Sequence, residues 1–437
     1  MPSRMRRRRF LRHQLALAGG LVYSPYHWLE RLRLPASGID DVRISAITVH
    51  RLTGATREYP VGPWQGSVTP LHLYPEHRPP TPPAPVEPGT MSAYTPSALY
   101  LRIATDDGVS GLYGPIDEAT APVITGRLSG FLAGRNPLAG ERLWDELYRL
   151  DRHARSGHFM MAISAVDNAL WDLRGRYFEA PVYELLGGPT RARIPLYASA
   201  LGRSVQPGEA AESARGFAAN GFGAQKWFLP YGPGDGARGL AFNVDLVRRL
   251  REAVGEEYDL MFDAFGAWDL AYALRWAEAV QPYRPRWIEE AFLPAELGSF
   301  AELSRRTSIP VAAGEHLYNR WDVHRYLEAG AAAVIQADPE WCGGVTELTK
   351  ICALASTYGV PVVPHGHNLH AALHVVASQS PAVCPLAEYL HDKMQGYYHF
   401  EREPLRVVDG AIELPRTPGF GLAWDERKIE RSEVVEE

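Results

Sequence analysis

Cysteine is nearly absent from this chain of 437 residues, with only Cys342, Cys352 and Cys384 present. Three thiols without metal-ligand spacing exclude both a disulfide framework and a zinc-ribbon-like site. All three fall in or beside predicted α/β elements and read as reduced packing residues. Long apolar runs are missing too. None approaches the ~18–20 consecutive residues of a membrane helix, so no membrane partner is expected. Excess positive charge is likewise lacking. The 45 Lys and Arg are outnumbered by 51 Asp and Glu, for a net charge of −6. An Arg-rich stretch is confined to the first dozen residues, which leaves no basic footprint for nucleic acid. What remains, 46% hydrophobic and 22% charged residues, is the composition of a soluble globular protein long enough for a barrel and a smaller second domain.

Residues 1–40 stand apart as a basic N-terminal extension. Arg7-Arg-Arg-Phe-Leu-Arg12 resembles a twin-arginine export motif, followed by the weakly apolar segment Gln14 to Ser24. His13, two glycines and the nearby charges Glu30, Arg31 and Arg33 count against export. A cytoplasmic location is expected, with export as the alternative. From Asp41 the pattern becomes that of an α+β domain spanning 41–178. Strands are predicted at Val42 to Arg51 and Ala98 to Ala104, with a hairpin signal at Asp106-Asp-Gly108. A long loop crowded with prolines, Pro60 to Pro96, separates those strands and has the length of a lid or binding loop. Helices are predicted at Pro122 to Ala133, Gly140 to Arg149 and His158 to Phe178. The tail, about 400–437, is expected to complete this first domain, its hairpin around Asp409-Gly410 returning there.

Between them, over 179–399, acidic residues recur at the ends of short apolar runs. Asp263, Glu289 and Glu315 are spaced 26 residues apart, the length of one strand-helix unit. In a parallel barrel the C-terminal ends of successive strands lie side by side at one rim. Three carboxylates delivered there converge, and converging negative charges call for a hard cation such as Mg²⁺. The rhythm extends to Lys226 upstream and to Asp338, His365 and Glu388 downstream. Amphipathic runs at Asn243 to Val254, Asp269 to Val280 and Val345 to Tyr358 fill the intervals as helices. Strands alternating with helices predict an α/β barrel.

Met161-Ala-Ile-Ser-Ala-Val-Asp-Asn-Ala-Leu-Trp-Asp-Leu-Arg-Gly175, Trp287-Ile-Glu-Glu290, Gly314-Glu315 and Asp338 with Gly343-Gly344 resemble the mandelate racemase/muconate-lactonizing enzyme family of the enolase superfamily. Leu229-Pro-Tyr-Gly-Pro, Trp341-Cys-Gly-Gly344, Val363-Pro-His-Gly366 and Pro418-Gly-Phe-Gly421 look most like its acid-sugar dehydratases, of the L-rhamnonate dehydratase type. The resemblance covers about residues 41 to 425. It implies a (β/α)7β barrel with an N-terminal α+β capping domain, Mg²⁺, a carboxylate substrate and a homo-oligomer.

Roles follow for each residue. Asp263, Glu289 and Glu315 would hold the metal, which stabilises the doubly charged enediolate left when an α-proton departs. Glu290, one residue past Glu289, would point away by strand alternation and form a structural ion pair. His365 is the candidate base, its tautomer fixed by Asp338 on the adjacent strand. Lys226 would offset charge on the substrate carboxylate, and Glu388 resembles an acid that hydrogen-bonds it. The resemblance puts His316 against substrate hydroxyls. His72, His77 and Arg78 read as a solvated part of the long loop. Where racemases of the family carry Lys-x-Lys on the second strand, this chain has Lys226-Trp-Phe228. A base on one side only favours elimination over racemisation. The expected activity is dehydration of a sugar acid to a 2-keto-3-deoxy acid, with an epimerase of the same family as the alternative. A metal-dependent hydrolase, suggested by His365-Gly-His367, is a remote third.

Overall fold

The structure is a computed structural model that describes residues 42–60, 66–78 and 91–436. The twin-arginine-like segment and much of the proline-rich loop lie outside them. No helix among the described residues is long and apolar enough to cross a membrane.

An α+β cap comes first. Its antiparallel sheet has the spatial order Arg431–Val434, Ile44–Thr53, Ser97–Thr105, Ser110–Ile116. The expected hairpin at Asp106-Asp-Gly108 joins the last two. Gly108 takes the positive φ that the turn requires, +86°. The prolines of the long loop do not keep it featureless, because its two ends, Arg57–Pro60 and Met91–Tyr94, pair as a small antiparallel sheet. Helix Gly157–Tyr177 covers the cap sheet, and helix Gly140–Leu150 packs against that helix.

The barrel follows. Its parallel strands are Arg193–Ser199, Ala224–Phe228, Asp259–Asp263, Trp287–Glu289, Val311–Ala313, Val334–Ile335, a single bridge at Val362, and Ala387–Leu390, which closes onto Arg193–Ser199. The seventh strand is shorter than the run Gly359 to His365 predicts. Pro361 and Pro364 lack the N–H that a ladder needs, so pairing shrinks to one residue. The last strand likewise starts only at Ala387, after Pro385. Tyr197, Ala224, Met261, Trp287, Ala312, Val334, Val363 and Leu386 form one buried cluster, one residue from each of the eight positions around the barrel. This is the packed interior, and strand alternation from it sets everything at the rim.

The tail departs from expectation. Its hairpin, Val407–Val408 with Ala411–Glu413, pairs antiparallel with the start of the first barrel strand, Arg193 to Pro195, and not with the cap sheet. It covers the barrel at its N-terminal end. The cap takes Arg431–Val434 instead, and Phe400 and Leu422 pack with cap residues Leu52, Tyr100 and Leu112.

Helix Gly157–Tyr177 ties these parts together. Asp172 accepts from the Leu112 N–H at 2.8 Å, the Phe420 N–H at 2.9 Å and the Arg176 guanidinium at 2.6 Å. A turn later, Gly175 lets the backbone of Gly419 approach. A Cβ on Gly175 would meet the Gly419 Cα at 2.5 Å and N at 2.6 Å. Backbone cannot swing aside as a side chain can. Gly175→Ala is therefore expected to cost about 1–3 kcal/mol in urea unfolding. Gly216→Ala, in the open interior of helix Pro207–Ala219 with nothing within 4 Å of the added carbon, should gain about 0.5–1 kcal/mol. Equal effects at the two sites would contradict this packing.

Candidate active site

Alternation from the interior cluster delivers the polar residues. Two positions beyond Ala224 is Lys226, beyond Met261 is Asp263, beyond Trp287 is Glu289, beyond Val363 is His365 and beyond Leu386 is Glu388. Each therefore points inward at the C-terminal rim, where the apolar filling ends. Val334 leads by the same step to Gln336 and by the next to Asp338. Phe228, two beyond Lys226, takes the inward position above it. The fifth strand breaks the rule. Its inward position falls on Gly314, whose φ of +140° turns the chain, and Glu315 reaches the rim from the next residue.

Lys226 is at the centre of this set. Its ammonium, 1% exposed, pairs with Asp263 at 3.1 Å, with Glu388 at 2.9 Å and with Glu289. Burial alone would lower the Lys226 pKa, but Glu289, Glu388 and Asp263 hold it well above the usual lysine range. The second oxygen of Glu289 accepts from Gln336 at 2.6 Å and from the Trp287 indole at 3.0 Å. Glu388 also accepts from the Gly366 N–H at 3.0 Å.

The dyad residues stand in contact. His365 Nδ1 and Asp338 Oδ2 are 2.6 Å apart. Asp338 further accepts from the N–H groups of Glu340 at 2.7 Å and His367 at 3.3 Å. With Nδ1 directed at a carboxylate, the imidazole presents Nε2 to the site, 3.5 Å from Glu315 and 3.9 Å from Glu388. Burial would lower the His365 pKa. Glu315, Glu388 and Asp338 outweigh it and raise the value to about 10.

Glu290 does not turn away. The strand ends at Glu289, so alternation no longer governs the next residue, and φ of +38° at Glu290 keeps its carboxylate at the rim. It pairs with His316 Nδ1 at 2.9 Å. Ligand atoms of Glu290, Glu315 and His316 lie within 4.8 Å of one another; of the three expected ligands only Glu315 belongs to this set, since Asp263 and Glu289 face Lys226. His316 is raised to about 9, because Glu290 and Glu315 outweigh the lowering by burial. The consecutive acids Glu289-Glu290 at a strand end were the signal for this. Gln336 and Glu340 carried no comparable signal.

Asp263, Glu289, Glu290, Glu315, Asp338 and Glu388 are all buried, against three cationic or potentially cationic groups, Lys226, His316 and His365. Burial first, and mutual repulsion after it, push the Asp263, Glu289 and Glu315 carboxyls above the usual carboxylate range despite their cationic neighbours. Crowded hard oxygen donors short of positive charge suit a divalent cation such as Mg²⁺. The His-x-His reading fares differently. Nδ1 of His365 faces Asp338, Nδ1 of His367 faces the Lys393 ammonium at 2.9 Å, and neither histidine belongs to the metal-capable set of Glu290, Glu315 and His316.

From the long loop, the Val68 N–H bonds the Leu229 carbonyl at 2.9 Å and Arg78 packs on Gly234. The loop thus docks beside the second-strand rim. His72 and His77 remain at its surface.

Because carboxylates raise His365, removing either neighbour must lower it. In metal-free protein, Glu315→Gln and Asp338→Asn should each shift the His365 midpoint down from about 10, toward the ordinary 6.5, in an imidazole NMR titration. An unmoved midpoint in both variants would contradict the geometry.

Comparison with known proteins places the chain. Residues 75–187 match the mandelate racemase/muconate lactonizing enzyme N-terminal domain, and 209–428 match the family described as enolase C-terminal domain-like. L-rhamnonate dehydratase of Saccharopolyspora erythraea is 35% identical over 81% of this chain and 88% of its own length. D-galactonate dehydratase of Ralstonia nicotianae is 33% identical over 77% and 91%. Among solved structures, L-rhamnonate dehydratase from Gibberella zeae superposes with a TM-score of 0.75 at 27% identity, covering 90% of this chain and 96% of that one. A racemase from Streptomyces coelicolor with bound magnesium gives 0.70 at 28%, covering 88% and 98%. A cap and a barrel that each match their own domain, joined in the same order around one acidic rim, mean that this chain belongs to the mandelate racemase/muconate lactonizing enzyme family of the enolase superfamily.

Proposed function

We propose that the protein is a Mg²⁺-dependent dehydratase of sugar acids, a hydro-lyase that forms a 2-keto-3-deoxy acid. The observation that carries this reading is one imidazole, His365, aimed into a cluster of buried acids with no second base on Lys226's strand. Phe228 fills the place of that base. Its ring lies 5.1 Å from Lys226 Nζ and packs edge-on against Phe265. Relatives named as dehydratases of L-rhamnonate and D-galactonate support the same class.

Asp263, Glu289 and Glu315 would hold the cation, with Glu290 adding negative charge beside them. When bound, Mg²⁺ supplies Lewis-acid stabilisation of the charge that develops on the substrate carboxylate. Lys226 contributes a second, fixed positive charge there, and Glu388 anchors that ammonium. His365 acts from its neutral form, the minor one while its carboxylate neighbours hold it at about 10, and takes the α-proton at Nε2. The C–H electron pair passes onto the substrate carboxylate as the proton leaves, and then forms the Cα–Cβ double bond as the β C–O bond breaks. The imidazolium then returns its proton to the departing hydroxyl, which leaves as water, and the enol product tautomerises to the 2-keto acid. Asp338 holds the ring through both half-steps. His316, paired with Glu290, is placed to meet substrate hydroxyls. The substrate is a small carboxylate, and the family resemblance suggests a homo-oligomer.

A panel of aldonic acids assayed with Mg²⁺ by semicarbazide trapping should reveal a keto product from at least one acid. Chelation with EDTA should abolish turnover, and Mg²⁺ should restore it. Interconversion of two epimers without keto acid would replace dehydration by the isomerase reading.

A further inference from the structure

His367 has no part in the chemistry above, yet the site fixes it closely. It stands two residues beyond His365, with the ring centroids 6.5 Å apart and the planes 29° from parallel. The Trp341 indole lies against both rings, 4.9 Å from His365 and 5.3 Å from His367. The backbone N–H of His367 donates to the dyad carboxylate Asp338 at 3.3 Å, so one side chain sets the position of both histidines.

Lys393 sets its protonation. Lys393 Nζ donates to the His367 carbonyl at 2.9 Å and lies 2.9 Å from Nδ1, while resting 4.3 Å from the Tyr397 ring centroid. An ammonium has no lone pair, so Nδ1 must accept, and the ring proton is forced onto Nε2. Burial, the Lys393 charge and His365 push the His367 pKa well below the usual value, which keeps the ring neutral. Nε2 has no hydrogen-bond partner among the described residues. The two histidines are thus opposite devices. Nε2 of His365 exchanges a proton, whereas Nε2 of His367 is an N–H donor for as long as Lys393, lowered by burial to about 8, stays protonated.

His367 also lines a narrow cavity between cap and barrel, with Asp117 and Thr120 from the cap and Glu340 and Trp341 from the barrel. Its volume, about 10 Å³, suits a single water-sized oxygen. A sugar acid bound with its α-carbon at His365 carries further hydroxyls along its chain. A donor one ring spacing away would meet an oxygen beyond the two reacting carbons.

We propose that His367, its tautomer fixed by Lys393, is a specificity-determining residue that donates from Nε2 to a hydroxyl of the substrate chain beyond the β-carbon. The assignment rests on the sugar-acid reading and deepens it.

The test compares kcat/KM for the sugar acid best used by the wild-type holoenzyme with kcat/KM for glycerate, which ends at the β-carbon. In His367→Leu the ratio of the two should fall about 100-fold, mainly through KM on the sugar acid, as expected when a buried polar contact is lost. His367→Gln, whose amide can place an N–H near the Nε2 position, should recover most of the ratio. Lys393→Met should lower it by a smaller factor, because the tautomer is then free. A fall of equal size on both substrates, or an unchanged ratio in His367→Leu, would overturn the assignment while leaving the dehydratase reading intact. A wild-type enzyme that dehydrates no sugar acid would remove that reading first and this inference with it.

Discussion

The buried ion cluster around Lys226 is the constraint on which the site depends. One ammonium, shielded from water, joins carboxylates from the third, fourth and eighth barrel strands. Breaking a buried pair by removing one partner costs on the order of 3–5 kcal/mol, because the other charge stays buried. Lys226 therefore limits where Asp263, Glu289 and Glu388 can stand. It does not neutralise them all. The remaining negative charge raises His365 and His316 and suits the rim to a divalent cation.

The cap is tied to the same machinery through the long helix. Asn168 donates to the Pro339 carbonyl at 3.0 Å and accepts from the Val345 N–H at 3.0 Å. Asp167 accepts from Thr346 N–H and Oγ at 2.9 and 2.7 Å, and Ser164 Oγ accepts from the Gly343 N–H at 2.8 Å. These contacts hold the segment that starts at Asp338. Gly344, with φ of +80°, is required there, since a Cβ would meet Asp167 Oδ2 at 2.4 Å. From the cap sheet, Tyr113 donates to Glu340, the residue whose N–H holds Asp338. Burial, followed by the charge of Asp338, pushes Glu340 well above the usual carboxylate range. The orientation of His365 is therefore set in part by a different domain.

Much of this was legible in the sequence because barrels convert spacing into position. The repeating intervals located the strand ends, and alternation from the interior residues placed Lys226, Asp263, Glu289, His365 and Glu388 on one rim. Legibility failed where alternation stops. Glu290 lies just past its strand in a positive-φ conformation that no periodicity encodes. The hairpin at 407–413 was recognisable as a hairpin, but the local turn signal carries no information about its distant partner, which proved to be the first barrel strand. Lys393 and Gln336 gain their roles only from neighbours far away in the chain. His367 was visible as part of a His-x-His motif whose chemistry depends on a lysine 26 residues on.

The central claim is that one imidazole, His365, moves the α-proton. It is tested most directly by following the α-C–H signal of a turned-over sugar acid in D₂O by NMR, in wild-type and His365→Asn protein, with Mg²⁺ affinity measured calorimetrically alongside. The α-hydrogen should be lost to solvent with wild-type enzyme and retained with His365→Asn, while the two proteins bind Mg²⁺ with nearly the same affinity. Loss of the α-hydrogen at the wild-type rate in His365→Asn would show that the base is another residue.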